Sequence, residues 1–427
     1  MKKLLSLFLI ATLFLTSLCA QEKSTITFSE KNILVQGKGV VVSGNTAYIR
    51  QSGVYEVSGK SSDGQVFIEA GKDAEVELIL NGLDLKAAKN AAIFCKSGKD
   101  LIITLTKGTK NALSDLQTYK YEDSKKELPD ATIYSDCDIK IQGEGSLTVN
   151  ANFKHGIASN DDIKIKGGII SITSKKDAIN ADDNLTINGG DFTIKAGDDA
   201  IHADKNLTIN DGLFNITDCY EGLEGTQIYI NGGRINIKAR NDAIGAAAGT
   251  KETKAFSGYG ANPGVAVHIA GGQIEATAEG DVVDSNGDIF VSGGTLYLSS
   301  RADPTYEGAL LCNGTVHISG GSIASVGNIG VELEVSKQPV LVVSHPKMQK
   351  SGATIELKDK NGKTLLSTKA QKDFRQSIFT SPLLKVGETY SLVIDGKKTG
   401  DLKLSSTLTK TADNGGKFTG GYPRGHW

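Results

Sequence analysis

The chain has 427 residues, 47 Lys and Arg against 49 Asp and Glu, a formal net charge of −2, and 6% aromatic residues. Near-neutral charge without a basic excess argues against nucleic acid as a partner. Fifty glycines beside only seven prolines point to a repeat punctuated by turns.

The N-terminal run "MKKLLSLFLIATLFLTSLCAQEK" places Lys2 and Lys3 before a short apolar stretch and small residues. It reads as a secretory signal peptide over residues 1–20, cleaved near Ala20, which sends the protein to the periplasm, the cell surface or the medium. Lipid anchoring through Cys19 is the alternative, disfavoured because Leu18 stands where a small residue is wanted. No later segment reaches ~18 uninterrupted apolar residues, so no transmembrane segment is expected. Cys95, Cys137, Cys219 and Cys312 are widely spaced without a C-x-x-C pair, so buried thiols are expected rather than a zinc site or a disulfide framework.

Residues 23–80 are strand-rich and read as a cap and first coils. The body of the chain then keeps a ruler of Gly-Gly or Asp-Gly pairs beginning at Gly167, Gly189, Asp211, Gly232, Gly271, Gly293 and Gly320, at intervals of 22, 22, 21, 39, 22 and 27. Alternating runs such as "LTINGG", "IYINGG" and "IFVSGG" precede these pairs, and runs such as "DFTIKA" and "RINIKA" follow them. Period-2 alternation with β-branched residues predicts strands throughout. A unit of ~22 residues holding two or three strands matches one coil of a parallel β-helix. The fold class expected is all-β: a right-handed parallel β-helix over 21–338, a small antiparallel β-sandwich-like domain over 339–410, and a flexible Gly-rich tail over 411–427.

Aligned coils bring acids into register. The leading position holds His155, Asp177, Asp199, Glu221, Asp242 and Asp281, with Glu307 one residue out of step. Three residues on stand Ala158, Asn180, His202, Glu224, Gly245 and Asp284; two further on stand Asn160, Asp182, Asp204, Thr226 and Asn286. Ser159, Ala181, Ala203, Gly225 and Ser285 lie between them, which suggests a tight inward-facing site. Equivalent residues of stacked coils lie ~4.8 Å apart. Two carboxylates at that spacing repel by roughly 1 kcal/mol in water and roughly 3–4 at an effective dielectric near 20. A cation is therefore expected, and converging oxygens suit Ca²⁺. The competing reading is that each Asp merely caps its own turn. Asp177, Asp182, Asp199, Asp204, Glu221, Asp242 and Asp281 are the expected calcium ligands. Asn180, His202, Glu224, Arg234, Arg240, Lys251, Lys254, Asp284 and Arg301 are the expected ligand-contacting residues.

The repeated D-A-I-x-A-D, the N-L-T-I-N-G-G strand and the terminal "LLKVGETYSLVIDG" resemble, over roughly residues 30–410, a family of bacterial secreted carbohydrate-binding β-helix proteins. That resemblance implies a pectate-lyase-like shape, calcium held by aspartates of neighbouring coils, and binding of acidic sugars such as polygalacturonate, and of cellulose. The D-A-I positions carried over are Asp177, Asp199, Asp242 and Asp281, with Asp182 and Asp204; His155, Glu221 and Gly245 depart from the pattern.

The function expected is non-catalytic binding of an acidic, pectin-type polysaccharide through calcium, by a monomer. A calcium-dependent polysaccharide lyase is the alternative, with Arg234, Arg240, Arg301, Lys251 or Lys254 as base, though no fixed catalytic constellation stands out. A structural surface protein or adhesin is the second alternative. With Trp427 the sole tryptophan, and located in the tail, a flat aromatic platform for crystalline cellulose has little support in the sequence.

Overall fold

The structure, a computed structural model, describes residues 23–87, 89–119, 129–248, 260–301, 308–327, 333–335 and 338–411. The signal peptide with Cys19 and Ala20, Lys251, Lys254, Glu307 and the tail beyond Thr411 lie outside the described residues. Among the described residues all regular structure is strand, as an all-β class requires. None of them forms a helix long and apolar enough to cross a membrane.

Each repeat contributes a strand to three parallel ladders. The first runs from Thr46–Ile49 through Gln65–Glu69, Ile93–Ser97, Ala131–Ser135 and His155–Ser159 to Ile179–Ala181. It continues through the leading halves of Ile201–Ile209 and Leu223–Ile230, then Ile244–Ala246, Val283–Ser285 and Leu311–Cys312. The second ladder includes Asp100–Leu105, Asp138–Gly143, Ile163–Ile165 and Leu185–Ile187, and the third includes Ser146–Ala151, Ile169–Ser174, Asp191–Lys195, Leu213–Cys219 and Arg234–Ala239.

The alternation seen in the sequence produces this arrangement directly. In Asp191–Lys195 the side chains of Phe192 and Ile194 are buried while Asp191, Thr193 and Lys195 are exposed, because successive strand residues point to opposite faces. Stacking then aligns like with like. Phe192 and Phe214 lie face to face inside, centroids 4.7 Å apart and planes 2° apart. One buried apolar cluster extends from Ile26 to Ile378. The Gly pairs turn the chain from the second ladder into the third. Gly190 adopts φ +123°, and a Cβ there would come within 2.9 Å of the Phe192 ring, so both the conformation and the packing call for glycine.

The large sheet is mixed rather than purely parallel. Ser24–Phe28 pairs antiparallel with Ile33–Gln36, and Val40–Ser43 with Thr46–Ile49. At the other end Ser322–Val326 pairs antiparallel with Phe374–Thr380, which also pairs with Val340–Gln349. These segments cover strand edges that would otherwise be open to another chain. A separate four-stranded antiparallel sheet is built from Thr354–Lys358, Thr364–Lys369, Thr389–Ile394 and Lys397–Lys403. It shares a second apolar cluster with Ala324 and Val326 of the last repeat. Cys95, Cys137, Cys219 and Cys312 are buried and free.

Candidate functional site

The first ladder and the turns leading into it carry the acids: Glu224 and Asp284 are half-exposed on the strands, while Asp177, Asp199 and Asp281, ahead of the strands, are buried. Ala181 and Ala203 are fully buried in the core, while Asn180, His202, Glu224 and Asp284, one residue earlier on the same strands, are half-exposed. The small residues therefore do not line a tight inward site: strand alternation puts them on the opposite face from Asn180, His202, Glu224 and Asp284.

Register places Asn180, His202, Glu224, Gly245 and Asp284 in one row. His202 is its centre. Its Nδ1 lies 2.7 Å from Glu224 Oε2 and 3.3 Å from Asp199 Oδ2, and its Nε2 lies 3.0 Å from Asp204 Oδ1. Burial works to lower the His202 pKa, but the hydrogen bonds to Asp199, Asp204 and Glu224 outweigh it and push it up to about 12. The ring is thus an imidazolium at neutral pH, a cation supplied by the chain itself among three acids. Burial pushes the Asp199 carboxyl well above its ordinary range, with Glu224 adding to the rise. On Glu224 burial also acts upward, but the bonds from His202 and Asp199 outweigh it and hold this carboxylate low.

The leading aspartates are committed partly to the backbone. Asp177 Oδ1 accepts the Asp199 N–H at 3.1 Å, Asp242 Oδ1 the Asp281 N–H at 2.6 Å, and Asp281 Oδ1 the Gly308 N–H at 2.5 Å. Turn capping and charge accumulation are therefore both present. One oxygen caps the next repeat, and Asp177 Oδ2 lies 3.1 Å from His155 Nδ1. Glu221 accepts from Asn241 Nδ2 at 2.9 Å. Burial, reinforced by Glu224, pushes its carboxyl up to about 7.

Two all-carboxylate sets converge, and each already meets a lysine: Lys176 Nζ lies 2.6 Å from Asp198 and Lys205 Nζ 2.7 Å from Asp183. Asp177, Asp198 and Asp199 offer oxygens within 4.8 Å of one another, as do Asp161, Asp162 and Asp183. Oxygen-only donors of this kind suit Ca²⁺. The set Asp199, His202 and Glu224 also converges within 4.8 Å, but there the imidazolium already provides the positive charge. Asp198, Asp161, Asp162 and Asp183 were not foreseen, although the doublets Asp161-Asp162 and Asp182-Asp183 are plain in the sequence. Asp182 stands one repeat before Asp204, its N–H bonded to Ser159 O at 3.0 Å.

The basic residues separate. Arg240 bridges repeats at the start of the acidic row, pairing with Asp218 at 3.2 Å and donating to the carbonyls of Cys219, Ala196 and Gly197. Arg234 opens a third-ladder strand, in register with Leu213 and Gln273, away from the acids. Arg301 Nε lies 3.9 Å from Glu279.

The same outer row begins with rings. Tyr48, Phe67, Phe94 and Tyr134 are in register with one another and, through Ala158, with Asn180 and His202. Their centroids step by 5.3, 5.0 and 5.6 Å with planes inclined at 53°, 83° and 67°. Uneven insertions space these four residues irregularly in sequence, which hid the row. A second row, Tyr229, His268, Phe290 and His317, stands on the second ladder with planes only 6–7° apart.

Comparison with known proteins places this face in a family. A protein of Acetivibrio thermocellus described as a carbohydrate-binding domain-containing protein is 42% identical over 134 residues, 31% of this chain and 47% of its own. The chain thus spans about half the length of that relative. A solved polysaccharide lyase-like protein from C. thermocellum, a gadolinium derivative, is 26% identical, with 74% of this chain and 98% of that one covered and a TM-score of 0.41. The family profile of carbohydrate-binding domain-containing proteins matches residues 43–304, which hold both halves of the outer row. The chain belongs to the family of carbohydrate-binding domain-containing proteins.

Proposed function

We propose that the protein is an exported, monomeric binder of acidic, pectin-type polysaccharide, and that calcium on the first-ladder face links protein and sugar. In this reading residues 21–338 form a right-handed parallel β-helix, 339–410 a small β domain closing its C-terminal end, and 411–427 a tail. The observation that carries it is the convergence of carboxylates from successive repeats on one outer face, within the segment matched by the carbohydrate-binding family. A bare acidic face repels a uronate, whereas a calcium ion held by Asp177, Asp198 and Asp199 supplies a positive centre that accepts uronate oxygens. The chain's own residues set where that centre lies. Asp177 fixes the Asp199 backbone through its N–H, and His202 neutralises the next repeat without a metal.

The test is retention on polygalacturonate with calcium or chelator, with ultraviolet absorbance followed for unsaturated product. Binding that needs calcium and releases no such product supports this reading. Accumulating product would make the protein a lyase, and absence of both would leave a structural surface role.

A further inference from the structure

We infer that the half-exposed rings of Tyr48, Phe67 and Phe94 are the surface on which the sugar rings of a single polysaccharide chain rest, that chain continuing along the same row onto the acidic half. The inference rests on the polysaccharide-binding reading above and gives it a second, uncharged contact.

Four observations on the molecule carry it. The first is continuity: the rings and the acids occupy one strand position in the first ladder, so a linear ligand lying along the row meets both. The second is ring orientation. Phe67 and Phe94 are inclined at 83° and Phe94 and Tyr134 at 67°. Rings that meet edge to face cannot cover both faces of one another, so ring face is left for the C–H groups of a pyranose. In the row Tyr229–His268–Phe290–His317 the near-parallel planes cover each other's faces and leave only edges.

The third observation is exposure. Tyr48, Phe67 and Phe94 are half-buried on the outer face, while Tyr134 is buried among Ala91, Ala131 and Ala158 and closes the strip. The fourth is the polar border a sugar's hydroxyls need. Gln65 and Asn90 are hydrogen-bonded to each other along one side. Glu69 stands on the other side, held between Arg50 and Lys96. Arg50 also lies over the Tyr48 ring, 5.2 Å from its centroid. An apolar strip with hydrogen-bonding margins matches the amphipathic faces of a sugar chain. Its tilted rings suit one twisted chain rather than a flat crystalline surface.

The full chain, wild type and variants, is run through polygalacturonate-containing gels in calcium. Phe67→Ala and Phe94→Ala are each expected to weaken retention, and together by roughly tenfold. Phe290→Ala, from the face-covered row, should leave retention within about twofold of wild type. Phe67→Leu and Phe94→Leu keep apolar bulk without a ring and guard against a folding defect. They should lose retention as the alanine variants do, at an unchanged thermal midpoint. If wild type is retained and the Phe67 and Phe94 variants match it, or if the leucine variants alone retain full binding, the aromatic row has no sugar contact and only this inference falls. If wild type itself is not retained, the polysaccharide-binding reading falls with it.

Discussion

The outer row of the first ladder is held together in two different ways along its length. From Tyr48 to Tyr134 it is a stack of rings, stabilised by apolar contact. From Asn180 to Asp284 the same backbone position carries polar and acidic groups around His202. The backbone geometry is common to both, since each repeat pairs in parallel with the next. What differs is the currency of cohesion: ring contact needs no partner of opposite charge, whereas carboxylates stacked ~4.8 Å apart need one. In one repeat that partner is an imidazolium, and in others a lysine, as Lys176 beside Asp198 and Lys205 beside Asp183. A single ladder can therefore carry chemically opposite surfaces, with only the outward residue changed.

The sharpest way to break this contrast is His202→Ala. Removing the cation from among Asp199, Asp204 and Glu224 should cost about 3–5 kcal/mol in chelator, as for a buried charge left without its partner. Added calcium should restore more stability to the variant than to wild type, measured as thermal midpoint. A small loss that calcium does not touch would mean these acids need no cation. Phe94→Ala in the aromatic half should show the same loss in calcium and in chelator.

Glu221 gives the next effect, in pH. Its folded pKa lies at about 7, above the ordinary 4.5. A raised acid favours folding in full below about 4.5, and that contribution is lost as pH rises through about 7. In chelator, Glu221→Gln should therefore match wild type near pH 4.5 and exceed it near pH 8, by on the order of 2 kcal/mol. Equal midpoints at both pH values would place Glu221 in solvent.

Asp177→Ala is the smallest of these changes. It strands the Asp199 N–H and should cost about 1 kcal/mol in chelator, while Asp177→Asn keeps an acceptor and most of that stability. An Asn variant as weak as Ala would assign the role of Asp177 to its charge instead.

Much of this was legible before any coordinates. The Gly-pair ruler and the alternating runs set the strands, because turn chemistry and period-2 burial are local properties. The aligned D-A-I positions located the acidic row for the same reason. Three features were not legible. The facing of the row is split: alternation puts Ala181 and Ala203 opposite Asn180 and His202, while Asp177 and Asp199, ahead of the strands, are buried. His202 was placed among ligand contacts, and only its distances to three carboxylates reveal it as their counter-ion. The rings at Tyr48, Phe67, Phe94 and Tyr134 share no fixed interval, so their alignment exists only once the intervening segments fold away from the ladder.

The aspartate oxygens that cap the turns from Asp138 to Asp288 share one polarity along the stack, whereas Asn111 Oδ1 runs the other way, accepting the N–H groups of Gly82 and Leu83. Asp177 serves Asp199, Asp242 serves Asp281 and Asp281 serves Gly308. At the following turn Asp138 serves Asp162, Asp162 serves Asn184 and Asp288 serves Thr315. In each case the earlier repeat holds the acceptor and the later repeat brings the amide. In a chain that emerges from the ribosome N-terminus first, these aspartate acceptors are thus made before the amides they serve.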